Sequence, residues 1–181
     1  APVKKSETFY YGAEGSERAD YQKTWKGTTA LTNLVDSTSF YFYGASQKRA
    51  LAASDTEALD QSISFKGDLG TVQASVLYLS ILDNRIVVGL NTYDLDTRTY
   101  FFGSVGEEKQ SYSYKYWTNT LNQRIVKETT VYDYATAGNM IKSTIYRDDA
   151  VASATSNIPT LIAAPVKKSE TFYYGAEGSE R

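Results

Sequence analysis

The nearest approach to a chemical site in this sequence is a set of carboxylates at alternate positions. NTYDLDTRT (Asn91 to Thr99) carries Asp94 and Asp96, with Asn91 close by. Oxygen ligands so spaced can hold Ca²⁺, but the stretch lacks the Gly and the distal Glu of an EF-hand loop. The expectation is therefore a turn in which Asp bonds its own backbone. Asp148 and Asp149 are adjacent; on a strand they point to opposite faces, so they read as a solvated pair rather than a cation site. The second cluster is aromatic. In QSYSYKYW, Tyr112, Tyr114 and Tyr116 share one strand face, and Ser111, Ser113, Lys115 and Trp117 share the other. Two readings follow: the three rings line the core, or they form an exposed ligand surface whose apolar faces and polar tips stack on glycans.

Composition narrows the other chemistry to carboxylate-only or Lys-based kinds, which remain formally open. The chain has no histidine and no cysteine. That removes the commonest general base, the Ser-His and Cys-His pairs, ordinary zinc sites and any disulfide frame. No catalytic residue, metal site or cofactor is expected, and the chain is read as non-enzymatic. A net charge of −2 with no basic cluster gives no footprint for nucleic acid. No apolar run reaches the roughly 20 residues of a membrane span.

The elements that would position these residues read as strands. Sixteen tyrosines, seven phenylalanines and abundant Thr and Ser favour β structure. Strand-like runs punctuated by Asp, Asn and Gly follow one another: Ser37 to Ala45, Ser62 to Leu69, Ala74 to Leu82, Arg85 to Asp94, Arg98 to Val105, Gln110 to Asn119, Arg124 to Tyr134 and Met140 to Asp148. Gly27 to Val35 is a further strand, and Leu95 to Thr97 is read as a turn. SQKRALAASDTEALDQ (Ser46 to Gln61) is the helix-leaning stretch, with Ser54 and Glu57 at capping-box spacing; it is read as one short helix or a long loop. The fold class expected is all-β, an antiparallel meander forming a sandwich or barrel. Residues 150–163 contain small residues, no charge and Pro159, and read as a connector.

The sequence also repeats itself. APVKKSETFYYGAEGSER occupies both Ala1 to Arg18 and Ala164 to Arg181, 163 residues apart. Chance does not produce such identity, and three readings are open: one unit of a tandem array plus the start of the next, a fibre subunit whose leading segment inserts into its neighbour with a second copy fused behind to fill its own groove, or a duplication of no functional weight. On the first two the chain divides into a linking segment (1–18), a β domain (19–149), the connector and a second linking segment (164–181). The segment is strand-like: Val3, Phe9 and Tyr11 alternate onto one face, as do Val166, Phe172 and Tyr174. Weaker echoes exist. FYFYGA (Phe40 to Ala45) and TYFFGS (Thr99 to Ser104) share the aromatic-Gly pattern of TFYYGA, and LDNRIV (Leu82 to Val87) returns as LNQRIV (Leu121 to Val126).

A strand supplied from outside satisfies the open edge of a sheet and links two units. In this organisation, carried by the 18 residues at each end, the chain resembles donor-strand-complemented fimbrial subunits. VYDYATAGNMIKSTIY (Val131 to Tyr146) is similar to a tyrosine–aspartate repeat of bacterial surface and toxin shells and occurs once in that form. The fimbrial resemblance implies a secreted or cell-surface structural subunit of a fibre, pilus or stalk. Its partners would be copies of itself, joined by strand exchange through Val3, Phe9, Tyr11, Val166, Phe172 and Tyr174. Two rival expectations remain: a calycin-like barrel binding a small apolar ligand, and an adhesin domain binding glycans through Tyr112, Tyr114 and Tyr116.

Overall fold

The structure, a computed structural model, describes residues 4–27, 34–69, 84–88, 91–155 and 158–175. The expected strand Ala74 to Leu82 and most of Gly27 to Val35 lie outside them. Within them the chain is all-β and antiparallel, as its composition implies. The strands are β1 (Ser6–Tyr11), β2 (Arg18–Lys26), β3 (Leu34–Tyr43), β4 (Leu59–Lys66), β5 (Arg85–Val88), β6 (Asn91–Phe102), β7 (Lys109–Thr118), β8 (Arg124–Tyr134), β9 (Met140–Arg147), β10 (Val151–Thr155), β11 (Ile158–Leu161) and β12 (Lys167–Phe172). The main sheet runs β1-β2-β3-β4-β6-β7-β8-β9-β12, with β5 paired to β6. The two copies of the repeated segment thus supply its two outer strands.

Strand alternation separates two faces. One register row on the inner face reads Phe9, Tyr21, Phe40, Ile63, Arg98, Tyr114, Thr129, Tyr146. The neighbouring row on the other face reads Thr8, Gln22, Ser39, Ser64, Thr97, Lys115. An antiparallel sheet tolerates this asymmetry because one face can meet water. The core gathers on the inner face at Phe40, Phe42, Ile63, Phe65, Leu69, Ile86, Leu95 and Tyr116.

Hairpins of sequence-consecutive strands build the meander, and two of them, β1-β2 and β6-β7, are copies in geometry. Phe9 lies opposite Tyr21 and Tyr10 opposite Ala19, so Asp20 is an extra, bulged residue. Tyr100 lies opposite Tyr112 and Phe101 opposite Gln110, which makes Ser111 the corresponding bulge. The rings stack alike: Phe9 on Tyr21 at 4.2 Å and Tyr100 on Tyr112 at 4.4 Å. In the loops, Gly12 and Gly103 have φ of 130° and 116°. A Cβ there would meet the Ser16 and Glu107 carbonyl oxygens at 2.7 and 2.6 Å, so only glycine fits. The shared aromatic-Gly pattern of TFYYGA and TYFFGS is therefore a shared way of leaving a strand.

Two sequence expectations change, and the helix-leaning stretch resolves to the long loop of its two alternatives. Leu95 to Thr97 is not a turn. β5 pairs with β6, Val88 opposite Asn91, and Leu95 is a fully buried residue inside β6. Burial of Leu95 outweighs the turn chemistry of its Asp neighbours. The helix-leaning stretch is a loop with one 3-10 turn, Ala50–Ala52. Ser54 and Glu57 bond each other there, but they close a turn: the Ser54 amide donates to Glu57 Oε2 at 2.7 Å. The connector folds as the hairpin β10-β11. It returns over β7 and is anchored at Ala150, which is fully buried and donates its amide to Thr129 Oγ1 at 3.1 Å.

The Asp20 bulge has a purpose in the interior. Its carboxylate takes two bonds from the Arg49 guanidinium, 2.8 Å from Nε and 2.6 Å from Nη2. Both residues are buried, and Arg49 also lies 4.6 Å over the Phe40 ring. Removing one charge leaves the other dehydrated and unpaired. Asp20→Ala is expected to lower the unfolding free energy by about 3–5 kcal/mol in urea titration. Asp20→Leu combined with Arg49→Met should recover most of that loss.

Candidate functional site

The two outer strands hold identical sequence in different surroundings. β1 is bonded to β2, with the Trp25 amide donating to the Lys5 carbonyl at 2.9 Å. Antiparallel ladders alternate, so Lys5, Glu7 and Phe9 turn their backbone groups toward β2, and Ser6 and Thr8 turn theirs outward. β12 is bonded to β9, with the Tyr173 amide donating to the Ile141 carbonyl at 3.0 Å. Ser169, Thr171 and Tyr173 therefore face β9, and Glu170 and Phe172 face outward. Earlier in the strand Arg147 donates to the Val166 carbonyl at 2.8 Å, and Lys168 is a bulge.

Side chains fasten both copies in a common way. Lys4 pairs with Glu7 at 2.7 Å, and the equivalent Lys167 pairs with Glu170 at 2.6 Å. Lys4 also sits 4.6 Å over the Trp25 ring. The second copy adds its own ties: Lys168 to Glu128 on β8, Glu170 to Lys142 at 4.0 Å, and the Tyr173 hydroxyl to the Ser143 hydroxyl at 3.2 Å. Hydrogen bonds from Lys168 and from Lys167 hold the Glu128 and Glu170 carboxyls below their ordinary value of 4.5.

The predicted assembly residues are placed as follows. Val3 lies outside the described residues. Phe9 is half-buried and stacked on Tyr21. Tyr11, Val166, Phe172 and Tyr174 are 45%, 58%, 57% and 76% exposed. The segments are held by their backbone ladders and charged ties, not by a row of side chains sunk into a groove. An outer strand of one sheet lies beside a single neighbour, and of the assembly residues among the described ones Phe9 has a ring to stack on.

The tyrosine trio lies inside. Tyr112 and Tyr116 are buried, Tyr114 packs against the core, and the three rings meet edge to face. Burial pushes the Tyr116 hydroxyl up to about 12 and raises those of Tyr112 and Tyr114, which also face Asp149. The carboxylates singled out by spacing are engaged by cations of the chain. Asp94 takes a bond from Arg85 Nε at 2.9 Å and lies 4.0 Å from Arg124, and Asp96 lies 3.8 Å from Lys66. The two echoed turns meet at this clasp: Asn84 donates to the Arg124 carbonyl and Arg85 to the Asn122 carbonyl, at 2.9 and 3.0 Å. Among the described residues no group of three or more acidic, His or Cys side chains could hold a metal ion. A groove of about 430 Å³ opens between hairpin loops, lined by Gly15, Arg18, Tyr43, Asp55, Gly106 and Glu108. No helix among the described residues is long and apolar enough to cross a membrane.

Comparison with known proteins adds little to this geometry. No protein-family model matches the chain, and no curated protein matches it. Among solved structures, a protein of unknown function from Bacteroides fragilis NCTC 9343 is similar over 93% of this chain and 92% of its own, at 8% identity and a TM-score of 0.41.

The lowered carboxyls give the second segment a pH dependence. A carboxyl held below its unfolded value contributes stability above that value and loses it as pH falls through the folded one. Docking of β12 should therefore weaken below about pH 4.5, the ordinary value for Glu128 and Glu170. Hydrogen exchange at Thr171 and Tyr173, compared with core amides over pH 6 to 3.5, checks this after correction for intrinsic rates. Glu128→Gln should flatten the change.

Proposed function

We propose that the chain is a non-enzymatic structural unit that joins copies of itself by strand complementation at its sheet edges. The observation that carries this reading is the pairing of two identical segments to opposite edges of one sheet. A segment that forms a good ladder with β2 and another with β9 is an adhesive for both edges. Sheet edges expose unpaired N–H and C=O groups and are the natural place for such joining. The setting proposed is an extracellular fibre or surface stalk, as the resemblance in organisation to fimbrial subunits implies.

The experiment removes residues 164–181. Loss of β12 bares the β9 edge, while β1 keeps its outward groups at Ser6 and Thr8. The shortened chain is expected to melt several degrees lower, a loss of about 1–2 kcal/mol for a domain of this size. It should also self-associate in sedimentation velocity, with mass rising with concentration. An unchanged melting temperature together with a monomer at all concentrations would overturn the proposal.

A further inference from the structure

We propose that in successive units one copy of the segment serves both neighbours at once, as the last strand of one unit and the first of the next. This rests on the proposed function above and specifies the joint. Five observations fit together. Every pairing along the main path is antiparallel, so β1 and β12 run in the same direction across the sheet. The same residues face the same side: Phe9 lies in the inner-face row through Tyr21 and Phe40, and Phe172 lies opposite Lys142, whose row continues through Asp133 on that face.

The two copies also use opposite edges. Glu7 and Phe9 bond to β2, while the residues matching Ser6 and Thr8, namely Ser169 and Thr171, bond to β9. The groups that one copy leaves free are those that the other copy spends. Finally, each copy exposes an aromatic that its twin covers. Phe172 is 57% exposed where Phe9 stacks on Tyr21, and Tyr10 is 60% exposed where Tyr173 is half-buried against Ser143. Even the exit is set: Gly175 has φ of 132°, matching 130° at Gly12, which opens the loop into β2.

Keeping both copies at a joint would spoil this. β12 and the following β1 run the same way, so side by side they would form a parallel pair in an otherwise antiparallel sheet. A single shared copy leaves the alternation unbroken. The unit is then the β2 to β9 path plus one segment, repeating every 163 residues. Eight strand spacings of about 4.8 Å place successive units roughly 38 Å apart.

The test is a single chain in which residues 1–163 are followed by the whole 181-residue sequence, compared with the 181-residue chain by hydrogen exchange. In the single unit, amides at Ser6, Thr8, Glu170 and Phe172 should exchange at nearly unprotected rates. In the two-unit chain, the junction copy should protect both alternate sets, slowing the previously free ones by about 100-fold or more. Proline at the junction threonine equivalent to Thr8 and Thr171 removes an N–H aimed only at β9. It should release that ladder and leave the ladder to β2 protected. Protection of one set alone in the junction copy would overturn the shared strand while leaving edge joining intact. An unchanged melting temperature together with a monomer at all concentrations in the chain lacking 164–181 is the separate failure that would remove the reading beneath it.

Discussion

Antiparallel pairing makes each strand two-sided, and the architecture depends on this. Alternate residues aim their backbone groups left and right, so a strand satisfied on one side carries an equal row of groups on the other. In the body of the sheet that second row is always consumed by the next strand of the meander. At the ends it is not, and the chain places the same 18-residue sequence at both. A ladder needs little from side chains, which explains how one sequence can fit β2 and β9 although their residues differ. The lysine–glutamate pair inside the segment travels with it and holds at both sites.

Around the interior, charge is used where an apolar sheet would use hydrocarbon. The Asp20 bulge turns a carboxylate inward to meet Arg49, and the β5-β6 pairing places Asp94 opposite Arg85 and 4.0 Å from Arg124. Guanidinium forks suit such places because they satisfy carboxylate oxygens and neighbouring carbonyls at once. Arg85 does both, donating to Asp94 Oδ1 and to the Asn122 carbonyl, while Arg124 donates to the Leu95 carbonyl. A residue spacing that would suit a cation is here an internal clasp that fixes where β5, β6 and β8 meet.

Much of the strand order was legible from punctuation. Asp, Asn and Gly clusters bounded β7, β8 and β9 well, because short hairpin loops demand residues that tolerate left-handed backbone; Asn122, at φ 59°, is one. Leu95 was misread because local turn chemistry around Asp94 and Asp96 competes with burial that only the folded sheet reveals. The hairpin β10-β11 was hidden by its small residues, whose strand character comes from packing over β7. The strand nature of the linking segment could be read from alternation, and its attachment to two different edges could not. Edge choice is written in backbone direction, on which side-chain type is nearly silent.

The hydroxyl-rich side of the sheet gains meaning from the common direction of the two outer strands. Under the proposed joining, units added through unlike edges, all in one sense, would form a heterologous assembly with no two-fold axis to close it. Such a ribbon keeps Thr8, Gln22, Ser39 and Ser64 on one flank throughout, and the right-handed strand twist winds that flank into a helical stripe. A polymer joined in the proposed way would have a head, a tail and a continuous polar seam.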